Sequence, residues 1–327
     1  MNTERQKVVF IGAGAIGTSL GNILAENPSL DVVLHTIEED VARSINETTT
    51  NARYFPSVRL QPALRATMDD NELRDAKFIF LAIPSVIMVE YLKSKKDIIP
   101  GDAILINLAK GFGNGHRTII QCLKEFFPNP LCTMKGPTFA REIIIRMPTG
   151  FTLGCEDEKT AEKVTGLFAN TPIYIDHSTD IQGVELLSIL KNMYAIVLGI
   201  VDAQYNSPNI RFMVLTRAFR EMREVLLRFG GKEETLFCYC GYGDFTLTSL
   251  NDLSRNRTLG LLIGKGFFSK HVSKDLVLEG KTAVTIFYQE MAKKGIEMTG
   301  LPIISGLYEL ISGKSDVSTF LKKVLEA

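Results

Sequence analysis

The sequence predicts an α/β domain followed by an all-α one, and three observations lead there. A glycine-rich turn, Gly12-Ala13-Gly14-Ala15-Ile16-Gly17, stands between a short apolar run and a helical stretch. Short apolar runs alternate with helical patterns as far as Ile175, which implies a parallel sheet covered on both faces. After Asp180 only long helical patterns follow. At 327 residues the chain has room for two domains of roughly 100–200 residues each. The expected division is 1–180 and 181–327, joined through Asp176-His177-Ser178-Thr179-Asp180.

Lys7 to Ile11 reads as a buried strand, Ala15 to Glu26 as a helix and Asp31 to His35 as a second strand, together a βαβ unit. Phe78 to Ile83 and Ala103 to Leu108 are further strands, with a helix around Val86 to Lys95 between them. Leu131 to Met134, Phe151 to Leu153 and Ile173 to Ile175 extend the sheet, with a helix from Glu158 to Phe168. The second half offers helices at Gly183 to Ala203, Ile210 to Phe229, Leu253 to Gly264, Ala283 to Lys294 and Ile303 to Ser312.

Composition narrows the partners. Lys plus Arg and Asp plus Glu balance at 37 each, so no global basic field attracts nucleic acid or a membrane surface, and any anion site must be local. The five cysteines are too few and scattered for a disulfide framework, which fits a reduced, cytoplasmic setting. Cys238 and Cys240 lack a second Cys/His pair at zinc spacing, so no metal is expected. Nothing near the first residues resembles an export signal. The longest apolar segment, Leu186 to Val201, contains Lys191 and Asn192 and falls short of the roughly 20 residues of a spanning helix, so it reads as a buried helix of a soluble protein, with no stable membrane insertion.

The strand–turn–helix context makes the glycine turn a dinucleotide fingerprint of a Rossmann-type doubly wound sheet. Gly12 permits the tight turn, Gly14 lets the backbone approach a pyrophosphate, and Gly17 allows close packing, with Ala15 and Ile16 opening the helix whose N–H groups face the phosphates. Glu38, Glu39 and Asp40 follow the second strand, where an acid commonly accepts the ribose 2′-hydroxyl. No Arg or Lys adjoins them, Arg43 being the nearest, which favours NAD over NADP. Pro84, Lys110 and the turn Gly136-Pro137-Thr138-Phe139-Ala140 each stand at the carboxyl end of a strand, the edge where such sheets bind ligands. Lys110 could meet a phosphate or be a solvated loop lysine.

In the second half, Lys191 is the only cation of an aliphatic helix, so it pairs, snorkels or titrates low. Oxidising a secondary alcohol requires a group that removes the hydroxyl proton as hydride leaves, and Lys191 could serve in both directions. Gly243-Asp244-Phe245-Thr246-Leu247-Thr248 and Ser254-Arg255-Asn256-Arg257 combine an acid, hydroxyls and guanidinium forks suited to a phosphorylated, hydroxylated ligand. The alternative is that Asp244 and Ser254 cap helices and the arginines are solvated.

These motifs, with Ala109-Lys110-Gly111, Leu190-Lys191-Asn192 and Gly241-Tyr242-Gly243-Asp244, occur together in order, and the chain resembles the NAD(P)-dependent sn-glycerol-3-phosphate dehydrogenases over nearly its full length. The resemblance implies reversible reduction of dihydroxyacetone phosphate to sn-glycerol 3-phosphate, a precursor in phospholipid biosynthesis, with NAD or NADP as cofactor, and a homodimer. It casts Lys191 as proton donor and acceptor, with Asn192, Asp244 and Thr248 lining the glycerol or supporting Lys191. Lys110, Gly136 and Thr138 become substrate contacts, and Ser254, Arg255 and Asn256 the phosphate end. Ala140, Arg255, Val277 and Glu279 become cofactor contacts. It also implies an active site in a cleft between the two domains. The family's Gly-rich segment, Asn-x-Lys and Thr-Arg-Gly become Gln204-Tyr205-Asn206-Ser207-Pro208, Asn209-Ile210-Arg211 and Thr216-Arg217-Ala218. That departure leaves open a related dehydrogenase acting on another phosphorylated or carboxylated hydroxy compound. A dinucleotide sensor without catalysis leaves Lys191, Asp244 and Arg255 without a shared purpose.

Overall fold

A computed structural model describes residues 5–113, 117–267, 274–293 and 295–326, the side chains of 274–283 lying outside that description. The chain forms two compact units that meet in sequence between Ile181 and Gln182.

The first unit is built on one sheet of β1 (Gln6–Ile11), β2 (Leu30–His35), β3 (Arg65–Thr67), β4 (Phe78–Leu81), β5 (Ile104–Asn107), β6 (Leu131–Lys135), β7 (Thr149–Cys155) and β8 (Ile173–Ser178), in the order β3-β2-β1-β4-β5-β6-β7-β8. Its helices are α1 (Ala15–Leu24), α2 (Glu39–Thr48), α3 (Ser85–Ser94), α4 (Ile119–Leu123), α5 (Ala140–Ile144) and α6 (Glu158–Gly166). Successive strand residues point to opposite faces, and both faces are covered. Val8, Phe10, Phe78 and Phe80 join one apolar layer with Leu20 and Ile23 of α1. Val9, Ile11, Ile79 and Leu81 join the other with Met88, Val89 and Leu92 of α3. That double coverage explains why the strands read as unbroken apolar runs.

In register, Val8 lies between Val32 and Phe78, so β1 is flanked by β2 on one side and β4 on the other. The chain order reverses at β1, and the carboxyl ends of β1 and β4 form the switch point where such sheets take ligands. The sheet is not wholly parallel, however. β7 runs antiparallel to β6, pairing Cys132 with Cys155, whose free thiol sulfurs lie 3.1 Å apart. The expected linker from Asp176 also begins within the sheet, because β8 pairs with β7 as far as Ser178 opposite Gly154. Ile173 to Ile175 is the strand expected from sequence, and only the polar second half of this edge strand, Asp176 to Ser178, escaped the apolar pattern. The sequence patterns also passed over α2, β3 and the last helix.

The second unit has α7 (Ile181–Tyr205), α8 (Pro208–Arg228), α9 (Asp244–Leu250), α10 (Arg255–Gly264), α11 (Lys274–Lys293), α12 (Pro302–Ile311) and α13 (Val317–Glu326), with no strand among its described residues. α8 starts two residues earlier than its apolar pattern suggests. Ser207 accepts the Ile210 N–H, and Pro208 occupies the first turn, where a missing N–H is harmless. α7 is long and apolar enough to cross a membrane by length and composition, but 94% of its most apolar window is buried within the structure. α7 and α10 meet backbone to backbone: a Cβ on Gly260 would lie 2.1 Å from the Ile196 carbonyl oxygen, and one on Gly199 2.3 Å from that of Arg257.

Glu221 of α8 binds α12 to this core. Its carboxylate accepts the Ile303 and Ile304 N–H groups at 2.8 Å each and the Tyr194 hydroxyl at 3.2 Å. Burial, against the pull of those donors, pushes its carboxyl from 4.5 up to about 7. A folded value above the unfolded one means that its stabilising contribution is full below pH 4.5 and is lost as pH rises through about 7. Thermal unfolding between pH 4.5 and 7 is therefore expected to show a Glu221 component that declines with rising pH. Glu221→Gln should lower Tm and flatten that slope, and an unchanged slope would remove the assignment.

Candidate functional site

The glycine turn is fixed by contacts on several sides. Gly12 has φ of +113° and donates its N–H to the His35 carbonyl at 2.8 Å. A Cβ on Gly17 would sit 2.1 Å from the Gly12 carbonyl oxygen, whereas one on Gly14 meets nothing within 4 Å. The turn thus packs tightly at Gly12 and Gly17 and stays open at Gly14, the position where a pyrophosphate needs room. Gly14 is the N-cap of α1, so Ala15 and Ile16 begin a helix that no side chain caps and whose first N–H donors suit an anion. The residues present fit a dinucleotide.

Buried Asn51 holds this turn from outside, donating to the Ala13 carbonyl at 3.0 Å and the Thr18 hydroxyl at 2.9 Å. Anchoring Asn51 has a second effect, since Arg53 then reaches Glu38 and forms an ion pair with it. This corrects the sequence reading that no cation stands beside the acids after β2. The partner comes from fifteen residues further on, and a search confined to neighbours in sequence misses it. Glu38 is half-buried at the N-cap of α2, and Pro84 is the exposed N-cap residue of α3.

At the ends of β5 and β6 the half-buried Lys110 comes to the Gly136 carbonyl at 3.3 Å and the Thr138 hydroxyl at 3.4 Å. Three predicted residues thus converge on one edge of the first unit. Gly136 can take no side chain, because a Cβ would lie 2.3 Å from the Gly150 carbonyl oxygen of β7. Ala140 opens α5, and its carbonyl accepts the Ser19 hydroxyl of α1 at 2.9 Å. Beside this group Lys135 is buried and donates to the Asn107 carbonyl at 2.8 Å. Its place in a strand of otherwise apolar pattern gave sequence reading no reason to select it.

In the second unit Lys191 pairs, of the three fates open to it. It is buried in α7 and forms an ion pair with Asp244, the fully buried first residue of α9. Asp244 therefore turns inward instead of capping its helix. Thr248, one turn later in α9, donates to the same carboxylate oxygen at 3.5 Å. The half-buried Asn192 gives its amide to the Ser188 carbonyl at 3.3 Å. Ser254 does cap α10, accepting the Arg257 N–H at 3.3 Å, with Arg255 exposed and Asn256 half-buried in the first turn. Arg257 is buried, not solvated, and pairs with Asp202 of α7 and with Asp252. Val277 and Glu279 belong to α11, with their side chains outside the described residues.

The altered segment is occupied within its own unit. Gln204 donates to the Gly264 carbonyl, Arg211 binds Asp202 at 2.7 Å, and Arg217 donates to the Val324 carbonyl at 3.1 Å. These side chains hold helices together. Asp202 is the acid that sequence reading passed over, and its signal was a carboxylate in the last turns of an otherwise aliphatic helix.

Comparison with known proteins finds similarity across nearly the whole chain. The family profile for the NAD-dependent glycerol-3-phosphate dehydrogenase N-terminus matches residues 7–161, and that for the C-terminus matches residues 180–322. The chain is similar to a glycerol-3-phosphate dehydrogenase (NAD(P)+) of Methanothermobacter thermautotrophicus, at 33% identity over 98% of this chain and 97% of that one. It is also similar to one of Leptospira biflexa, at 32% over 98% and 97%. Among solved structures, glycerol-3-phosphate dehydrogenase from Coxiella burnetii superposes with a TM-score of 0.88 at 26% identity, covering 99% of each chain. A PanE/ApbA family ketopantoate reductase from Ralstonia eutropha, with a TM-score of 0.60 at 14% identity over 94% of this chain and 99% of that one, shares the fold alone. The chain belongs to the NAD-dependent glycerol-3-phosphate dehydrogenase family.

Proposed function

We propose that this protein is an NAD(P)-dependent glycerol-3-phosphate dehydrogenase, transferring hydride reversibly between nicotinamide and C2 of dihydroxyacetone phosphate or sn-glycerol 3-phosphate. The observation that carries this reading is the buried Lys191–Asp244 pair, with Thr248 on the same carboxylate. The bound dinucleotide supplies or accepts the hydride. In the reducing direction Lys191 Nζ gives a proton to the C2 oxygen, and in the oxidising direction it takes that proton back. Asp244 orients the Lys191 amino group and balances its charge, and Thr248 steadies Asp244. Asn192 lines the glycerol.

The phosphate is assigned to Ser254, Arg255 and Asn256 at the start of α10, where guanidinium and helix N–H donors suit an anion. Lys110, Gly136 and Thr138 are assigned to the substrate as well. Gly12, Gly14, Ala15, Ile16, Gly17, Glu38, Pro84, Lys110, Ala140, Arg255, Val277 and Glu279 are assigned to the cofactor. This reading makes 1–180 the nucleotide-binding domain and 181–327 the substrate-binding, catalytic one. It also makes the protein a cytoplasmic homodimer that supplies glycerol 3-phosphate for phospholipid synthesis. The internal contacts of Gln204, Arg211 and Arg217 give no ground for a different substrate.

The direct test is initial rate with dihydroxyacetone phosphate and each reduced cofactor. Turnover is expected, and reduction of some other ketone with none of this one would sink the reading. Lys191→Ala should lower kcat by about 10²- to 10⁴-fold with cofactor affinity kept, and near-normal turnover would refute the proton-transfer role. The Glu38–Arg53 pair can serve either dinucleotide, the acid meeting a ribose hydroxyl and the arginine a 2′-phosphate. Arg53→Ala is expected to weaken NADPH relative to NADH by about tenfold, the size of one charge-assisted hydrogen bond. Equal effects on the two cofactors' KM would show that Arg53 does not read the phosphate.

A further inference from the structure

Asp202 is buried in the last turns of α7, far along the helix from Lys191, and nothing in the proton-transfer scheme uses it. Its carboxylate is divided. One oxygen accepts Arg211 Nε of α8 at 2.7 Å, and the other accepts Arg257 Nη1 of α10. Arg257 in turn ties down the approach to its own helix. Its Nε donates to Asp252 at 3.1 Å, its Nη1 also reaches the Ser249 carbonyl at 3.4 Å, and its N–H goes to the Ser254 cap. One buried arginine therefore gathers the end of α9 and the connecting turn onto Asp202 through its guanidinium, and holds the cap of α10 through its backbone N–H.

The residues so held are those assigned to the substrate phosphate. Arg255 and Asn256 precede Arg257 in the same helical turn, and successive residues point about 100° apart on a helix of 3.6 residues per turn. With Arg257 fixed inward, Arg255 is turned to solvent and Asn256 lies between the two. The backbone contact at Gly199 and Gly260 brings α10 close to α7. Two cations share one buried acid, so its loss would leave both guanidinium groups short of a counter-charge, and they would repel each other.

We propose that Asp202 is a positioning residue for phosphate recognition, dividing its carboxylate between Arg211 and Arg257 and so setting the first turn of α10 for Ser254, Arg255 and Asn256. This rests on the assignment of the phosphate to that turn. Asp202→Asn keeps the shape but loses the charge that two guanidinium groups share. The expected result is a rise in KM for dihydroxyacetone phosphate of about tenfold or more, equivalent to about 1.4 kcal/mol, with kcat changed less and the KM for reduced cofactor raised by a smaller factor, through Arg255. Asp202→Glu should recover part of the loss. Arg257→Lys, which keeps the cation but not the fork, should raise the same KM more modestly and serves if Asp202→Asn fails to fold.

Inorganic phosphate is the second probe, read as protection against thermal unfolding, and Asp202→Asn should weaken its protection in parallel. If the wild-type protein turns over no dihydroxyacetone phosphate, the functional reading fails before any variant is made, and the phosphate arm still tests Asp202. An unchanged KM and unchanged phosphate protection in a folded variant would overturn the proposal. So would a cofactor KM rising in step with that of the triose, or a wild-type protein that phosphate does not protect.

Discussion

A lysine ammonium removed from water inside an aliphatic helix costs several kcal/mol unless a counter-charge meets it in good geometry. Much of the second unit is arranged around meeting that demand. Asp244 reaches Lys191 because α9 begins at that residue, directly after the kinked turn Tyr239–Gly243. Its neighbour Phe245 is buried, stacked on Phe219 with centroids 5.8 Å apart and edge-on to Tyr194 at 6.1 Å. Tyr194 lies one turn from Lys191 on α7 and carries the constraint onward, through its hydroxyl, to Glu221 and the start of α12. The Lys191 amine is held by a core in which polar contacts and aromatic packing fix the same helices.

The first unit solves a different problem, which is to present backbone instead of side chains. Where β1 ends, the glycines remove the Cβ atoms that would block the turn, and Asn51 braces it with two amide hydrogen bonds. The sheet beneath is buried on both faces by alternating residues of the same strands, so the carboxyl ends of β1, β4, β5 and β6 are held on a rigid platform. Residues at those ends then need only short turns to converge, as Lys110, Gly136 and Thr138 do.

The strands and helices with strong apolar periodicity were readable from sequence because burial alone dictates them: β1, α1 and α7 differ from expectation by a residue or two at their ends. What escaped depends on partners distant in sequence. The polar second half of β8, Asp176 to Ser178, owes its order to pairing with β7, and the direction of β7 is a property of the sheet. Candidate residues in punctuated turns, such as Gly12 or Ser254, announce themselves through local conformation. Arg53 and Asp202 do not, because their meaning lies in ion pairs across 15 and 55 residues of chain. Asp244 could be read in sequence as a helix cap, and only its long-range contact with Lys191 shows that it is not one.

The open end of α1 has a thermodynamic side. Gly14 offers no side chain to satisfy the first N–H groups of the helix, where a Ser or Asp would stabilise it by roughly a few tenths of a kcal/mol. On the proposed cofactor assignment, the ligand takes the place of a permanent internal cap. A dinucleotide whose pyrophosphate fills that place binds the folded chain and not the unfolded one, and so adds RT ln(1 + [L]/Kd) to stability. On that assignment, the resistance of this unit to unfolding is coupled to the concentration of nucleotide around it.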